Sequence, residues 1–130
     1  MSEFETKTLP GEPTVLAPDG SEVRILLGLP RGGMAQFRLA PAQVARAVSH
    51  RTVEDIWYVT EGRGRIWRRA GGREEVTELY PGLCLTIPLG THFQFRAEAD
   101  SALAVIGVTM PPWPGPDESF EVDGPWAASA

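Results

Sequence analysis

The sequence is poor in the two residue types that most often build metal and redox centres. It contains one cysteine and two histidines, so an internal disulfide, a four-cysteine zinc site and any site of three imidazoles are excluded. A lone thiol is typical of a reducing compartment. We therefore predict a cytoplasmic localisation.

Long apolar runs and an excess of basic residues are also absent. No run approaches the roughly 20 apolar residues that a membrane-spanning helix needs, and the opening residues, MSEFETK, lack the apolar core of a signal peptide. Lys and Arg total 12 against 17 Asp and Glu, whereas nucleic-acid affinity needs a basic face that displaces counterions from phosphates. We expect neither a membrane nor a nucleic acid as a partner.

Glycine and proline are abundant, with 14 and 12 residues, and they divide an alternating apolar pattern into short runs. Alternation with a period of two is typical of half-buried strands. About ten such strands, with turns roughly every eight to twelve residues, predict a one-domain all-β sandwich or closed barrel. The predicted strands are 14–17, 22–29, 34–39, 44–51, 54–60, 65–69, 74–80, 84–88, 92–96 and 102–110.

Three details of the chain are less regular. The alanine-rich segment 40–49 offers a short helix as an alternative to a strand, because Pro41 suits the first helical position. The tail from Pro111 onward, PPWPGPD, cannot continue a strand and is predicted to lie extended over the surface, held by Trp113 and Trp126. Cys84 is predicted to be a small core residue.

Two spaced motifs are more specific than the strand pattern. The first motif has Ala42, Val48, His50, Asp55 and Gly62, and the second has Gly82, Pro88, Gly90 and Phe93. Their intervals resemble, without a gap, the two motifs of the cupin superfamily, G-x5-H-x-H-x4-E-x6-G and G-x5-P-x-G-x2-H-x3-N. The resemblance implies a double-stranded β-helix, or jelly-roll barrel, over residues 34–110. It makes residues 1–33 the N-terminal strands of the same domain and residues 111–130 a tail packed on the barrel.

The positions that hold a metal ion in that family are mostly replaced. The resemblance puts the ligands on Val48, His50, Asp55 and Phe93, of which two carry no donor atom. Because a mononuclear site needs three or more N or O donors, the resemblance implies a degenerate metal site and no cofactor. In the alternative, a one-residue register slip turns His92 inward, and it completes a site for Fe, Mn, Ni or Zn with His50 and Asp55.

Strand alternation predicts what the barrel contains. Side chains two positions apart on a strand face the same way, so an inward His50 and an inward Asp55 set the orientation of their neighbours. The result is an apolar, aromatic pocket with few polar groups, which is typical of a small-molecule site. The predicted substrate-binding residues are Arg46, Val48, Trp57, Phe93 and Phe95.

The predicted catalytic residues are His50, Asp55 and Arg46. A carboxylate beside His50 would stabilise the imidazolium and orient the ring for general acid–base work, and Arg46 would hold an anionic oxygen by a forked contact. The resemblance to metal-free cupins implies an isomerase, epimerase, cyclase or lyase. In the structural alternative, Arg46 and Asp55 form a buried ion pair and His50 is hydrogen-bonded within the core.

Two other functions and one oligomeric state follow from the same residues. As alternatives to the metal-independent enzyme, the chain is predicted to be a non-catalytic cupin that binds a ligand as a sensor or carrier, or a metal-dependent oxygenase or isomerase that uses His50, Asp55 and His92. Ile56 and Tyr58 point away from the predicted barrel and need a cover, which either the chain's own N-terminal strand or a second subunit would supply. Because cupins commonly pair sheet to sheet, the resemblance implies a homodimer.

Overall fold

The computed structural model describes residues 3–130 as two antiparallel sheets that face each other. Within these residues eleven strands and one short 3-10 helix form, so the all-β prediction is confirmed. No helix in this part of the chain is long and apolar enough to cross a membrane. The strands are β1 (Val15–Leu16), β2 (Glu22–Leu29), β3 (Gly32–Leu39), β4 (Val48–His50), β5 (Glu54–Glu61), β6 (Gly64–Ala70), β7 (Arg73–Leu79), β8 (Cys84–Ile87), β9 (His92–Ala97), β10 (Leu103–Met110) and β11 (Ser119–Glu121).

The strand order shows that the chain crosses repeatedly between the sheets. One sheet has the order β1-β2-β3-β10-β5-β8, and the other has the order β11-β4-β9-β6-β7. Strands distant in sequence are therefore neighbours, such as β5 beside β10 and β4 beside β9. This is the connectivity of a jelly roll, in which two sheets close around one core.

The core consists of the inward side chains of both sheets. On β5, Asp55, Trp57 and Val59 are buried, whereas Ile56 and Tyr58 are about half exposed, at 47% and 50%. The homodimer that would cover this outer face stays a prediction. The fully buried apolar core includes Leu39, Val59, Ile66, Leu79, Phe95, Ala97, Leu103 and Val105.

The motif glycines lie where the backbone turns left-handed. Gly62, Gly82 and Gly90 have φ values of 81°, 97° and 82°, and a Cβ on Gly62 would overlap the carbonyl oxygen of Ala102. Ala42, at the first glycine position of the motif, has a φ of 68° and is the only non-glycine residue with a positive φ in the described chain. An L-residue in this conformation costs about 1–2 kcal/mol. The first position of the motif therefore favours glycine because the backbone there is left-handed, and Ala42 adopts that conformation with strain.

The C-terminal tail packs on the five-stranded sheet, but it is not simply extended. After a 3-10 turn at Pro116–Glu118, β11 pairs with β4, because these three residues contain no proline and β4 offers a free edge. Further along, the buried amide of Gln94 donates to the carbonyl of Trp126 and accepts from its N–H, at 2.9 and 3.1 Å. The tail is therefore bound to the barrel at two separate places.

Two local predictions need correction. Segment 40–49 forms neither a helix nor a long strand: it is a turn and an isolated bridge from Val44 to Arg96, and only Val48–His50 is strand. Cys84 is exposed rather than buried, because it pairs with Tyr58 on the outer face of the six-stranded sheet. Of the predicted N-terminal segment 1–33, residues 1 and 2 lie outside the described residues.

Candidate functional site

A cavity of about 580 Å³ opens between the sheets, at the end of the barrel where β5 begins and β10 ends. Its size lies within the roughly 300–1,000 Å³ typical of small-molecule sites. Strands β1 to β3 form one wall, the inward residues of β4, β5 and β9 form the floor, and the tail after Pro111 closes one side. Most of the lining is apolar, so its few polar side chains carry the chemistry.

His50 and Asp55 form the main polar pair of the cavity. Three residues separate the end of β4 from the beginning of β5, and this short connection brings Nδ1 of His50 to 3.3 Å from Oδ1 of Asp55. Both side chains are buried, and neither atom has a hydrogen-bond partner among the described residues, so the two groups lie within ion-pair distance without forming a hydrogen bond. The other carboxylate oxygen accepts a hydrogen bond from Nε1 of Trp57 at 3.2 Å. Trp57 therefore orients the carboxylate, and the carboxylate faces one nitrogen of the imidazole.

Aromatic rings fix the His50 ring from two sides. Phe93 of β9 and Trp113 of the tail both meet it edge to face, with ring centroids 5.2 and 5.0 Å away. Such contacts restrict rotation of the imidazole. With Nδ1 against Asp55, the Nε2 edge of a ring that lines the cavity makes no hydrogen bond with the described residues.

Trp57 is the centre of the aromatic floor. Its ring packs against Phe37, Phe93 and Phe95, with centroids 5.6, 5.9 and 5.0 Å away. Gly107 lies opposite Trp57 in β10, and a Cβ there would collide with the Phe37 ring. The absence of a side chain at Gly107 therefore makes room for the ring cluster that supports Asp55.

Asp19 is a polar cavity residue that the sequence interpretation missed. It lies in the turn between β1 and β2, where Oδ1 accepts hydrogen bonds from the Ser21 N–H and hydroxyl at 2.9 and 2.7 Å. Burial raises the pKa of Asp19 above its ordinary value of 3.8, although the Ser21 hydrogen bonds and the charges of His50 and Arg46 oppose this. An aspartate followed by glycine is so common in turns that the sequence carries no signal of a second role.

Glu118 of the tail holds the connection between His50 and Asp55 in place. Its carboxylate accepts hydrogen bonds from the Thr52 hydroxyl, the Thr52 N–H and the Val53 N–H, at 2.6, 2.7 and 2.9 Å. Burial raises the pKa of Glu118, but these hydrogen bonds and the nearby His50 outweigh it and leave the pKa below its ordinary value of 4.5. The tail thus holds in place the short connection that carries His50 and Asp55 into the cavity.

The predicted inward orientation of Arg46 is wrong. Its side chain is about half exposed, donates from Nη1 to the Pro18 carbonyl at 3.3 Å, and lies 3.7 Å from Glu121 on the surface. The prediction assumed that side chains alternate between inward and outward from His50 back to Arg46. Arg46 precedes β4 and is not part of a regular strand, so this alternation does not extend to it. The alternative ion pair between Arg46 and Asp55 is excluded for the same reason.

The remaining predicted binding residues divide into two groups. Val48, Trp57 and Phe93 line the cavity together with His50. Phe95 is 1% exposed and lies behind Trp57 in the core, so its predicted contact with a ligand is wrong. It supports the floor instead.

The side chains present do not fit the metal ion that this type of barrel holds in the cupin family. Val48 and Phe93 are buried at two of the ligand positions, and β9 shows no slip, because Phe93 pairs with Val48 and His92 pairs with Arg69. His92 does not line the cavity. Within residues 3–130 no three His, Cys, Asp or Glu side chains converge, so the alternative site with His92 is not formed.

No protein-family profile and no curated protein sequence matches the chain. Solved structures do match it. The capsular polysaccharide assembling protein CapF of Staphylococcus aureus superposes with a TM-score of 0.67 and 18% identity over 80% of this chain. The chain spans only 32% of CapF.

Two smaller proteins match over nearly their whole length. A Klebsiella pneumoniae protein described as having a double-stranded beta-helix domain gives a TM-score of 0.65 and 17% identity, covering 92% of this chain and 86% of that one. A Streptomyces PAC13 variant solved with uridine gives a TM-score of 0.67 and 11% identity, covering 94% and 92%. The sheet order and these superpositions together show that the chain has the cupin-type double-stranded β-helix fold.

Proposed function

We propose that this protein is a small-molecule-binding cupin in which His50 and Asp55 perform acid–base chemistry without a metal ion. The observation that carries this proposal is the buried pair, 3.3 Å apart, on the floor of a cavity of small-molecule size. Apolar residues of similar volume would serve packing at least as well as a buried histidine and carboxylate. A ligand-facing role explains why the polar pair is there.

The geometry favours a proton transfer at Nε2. Asp55, held by the Trp57 N–H, stabilises the tautomer of His50 that carries its hydrogen on Nδ1. The lone pair on Nε2 then takes a proton from a substrate carbon or hydroxyl, and Asp55 stabilises the imidazolium that forms. Return of the proton to another substrate atom completes an isomerisation. Its return to a leaving group completes an elimination.

The fold relatives support binding of a small molecule by a barrel of this size. The PAC13 variant, which this chain covers over 92% of its length, was solved with uridine. In our proposal the cavity of this protein also binds a small molecule. The side chains that line the cavity determine which molecule it binds, and the ionisable ones among the described residues are Asp19, His50 and Asp55.

The proposal is tested by hydrogen exchange between substrate and solvent. We expect incubation of a small-molecule library in D₂O to reveal compounds whose C–H positions exchange or rearrange with the wild-type protein. The exchange should disappear in His50→Gln. His92→Gln is the matched control, because His92 is the other histidine and does not line the cavity.

Each outcome of this experiment discriminates between functions. Exchange that persists in His50→Gln would rule out the assigned base. A compound that binds wild-type protein tightly but neither exchanges nor reacts would make the protein a carrier or sensor. In Asp55→Asn, ¹⁵N chemical shifts of His50 should report the opposite tautomer, and unchanged shifts would contradict the role of Asp55.

A further inference from the structure

The ionisable groups of the cavity lining are mostly acidic. Two carboxyl groups, Asp19 and Asp55, and one imidazole, His50, face an otherwise apolar or hydroxyl-bearing wall. Within residues 3–130 no lysine or arginine lines the cavity. A negatively charged ligand would therefore find no permanent cation to pair with.

The arginines on the neighbouring segments have partners outside the cavity. Arg46 contacts the Pro18 carbonyl and Glu121 on the surface. Arg24 donates to Glu22 and to two backbone carbonyls of the N-terminal segment. Neither guanidinium can serve a ligand without breaking these contacts.

Binding of an anion in this cavity would be unfavourable. Moving a carboxylate or phosphate out of water into an apolar site is unfavourable unless a cation compensates it, and the two aspartates would add repulsion. A hydrogen-bond donor meets the opposite situation. The Ser21 hydrogen bonds go to Oδ1 of Asp19, so Oδ2 takes no hydrogen bond from the described residues and is free to accept one from a ligand. The Thr109 side chain, opposite Asp55 on the neighbouring strand, is a further polar group of the lining.

We propose, resting on the function proposed above, that the ligand is a largely apolar molecule whose polar end donates hydrogen bonds. Amines, alcohols and phenols fit this description, whereas carboxylates and phosphates do not. The aromatic floor around Trp57 receives the apolar body, and Asp19 receives the donor. This replaces the anionic substrate that an inward Arg46 would have implied.

Three probes that share one aromatic body test the inference: 1-naphthylmethylamine, 1-naphthalenemethanol and 1-naphthoate, titrated calorimetrically at pH 7.5. We expect the amine and the alcohol to bind at least about tenfold more tightly than the carboxylate, which corresponds to about 1.4 kcal/mol. Asp19→Asn, which keeps an acceptor for Ser21, should weaken the amine about tenfold and the alcohol less than about threefold.

The outcomes separate the inference from the function on which it rests. Equal or tighter binding of naphthoate overturns the ligand class and leaves the small-molecule site intact. An equal loss for all three probes in a folded Asp19→Asn protein overturns the role of Asp19. If none of the probes binds at millimolar concentration and no library compound exchanges in D₂O, the proposed function fails together with the inference.

Discussion

The two ends of the barrel are built from the same strands but from different side chains. On the adjacent strands β5 and β10, the inward row begins with Asp55 and Thr109 at the cavity end and reaches Val59 and Val105 at the other. Backbone pairing is regular from Thr109 to Val105, and the register shifts only beyond Val105, between Ala104 and Val105. Strand alternation decides which side chains point inward, and the chemistry of those side chains decides whether that end of the barrel is packed or open.

The apolar residues of the two ends also differ in burial. Leu103 and Ile66 at the closed end are fully buried, whereas Leu16 at the cavity mouth is 68% exposed. The closed end contributes packing and stability. The open end keeps apolar surface in contact with water, which a ligand would cover.

The two ends should differ most in how much the free energy of unfolding falls when a leucine is truncated to alanine. We expect Leu103→Ala to lower the free energy of unfolding by about 2–5 kcal/mol, because Leu103 is fully enclosed. Leu16→Ala, the matched control at the mouth, should change it by less than about 0.5 kcal/mol. Urea unfolding measures both, and similar losses would contradict the division into a packed and an open end.

Removal of the polar pair at the cavity end is expected to lower the free energy of unfolding by a smaller amount. Asp55→Ala removes the acceptor of the Trp57 N–H and the carboxylate that faces His50 Nδ1, which should cost about 1–3 kcal/mol. Asp55→Asn should cost less, because its carbonyl oxygen can still accept from Trp57. Equal stability of the two variants in urea unfolding would show that these polar contacts do not stabilise the fold.

A gain in stability is expected near the closed end. Ala42→Gly relieves the left-handed backbone at φ 68° and should raise the free energy of unfolding by about 1 kcal/mol. Ala40→Gly, two residues earlier and without a positive φ, should instead lower it slightly. Thermal unfolding distinguishes the two, and a loss in Ala42→Gly would contradict the strain.

The smallest effects are opposite pH dependences within the cavity end. The pKa of Glu118 is lowered in the folded protein, so its stabilisation is complete above pH 4.5 and is lost as the pH falls through the folded value. The pKa of Asp19 is raised, so its contribution is complete below pH 3.8 and is lost as the pH rises through the folded value.

Urea midpoints between pH 3 and 8 check both signs. Glu118→Gln should therefore be less stable than wild type at pH 7, with a gap that closes in acid. Asp19→Asn should be more stable than wild type at pH 7 and lose that advantage in acid. If both variants changed in the same direction, one of the two assignments would be wrong.

Most of the fold was predictable because strand signals are local. Glu22–Leu29 and His92–Ala97 were expected to within a residue, since alternation and glycine or proline breaks define each strand without reference to the others. The exceptions lie where another segment intervenes. β11 became a strand only because the edge of β4 was free to pair with it.

The site was predictable to the extent that it lies on regular strands. Trp57 and Asp55 are two positions apart on β5 and share a face, and the register of β9 keeps Phe93 inward and His92 away from the cavity. Arg46 could not be predicted in the same way, because the segment before β4 follows contacts with other loops rather than strand geometry.

The sequence by itself determined the two-sheet architecture, the left-handed turns at the motif glycines and the inward face that carries Asp55 and Trp57. These depend on periodicity and on backbone conformation, which neighbouring residues specify. Only the tertiary structure decided that Asp19 lines the cavity, that Trp113 packs on His50 and that Arg46 faces the solvent. Those positions result from packing between segments far apart in the chain, and no local pattern records which distant segment will be in contact.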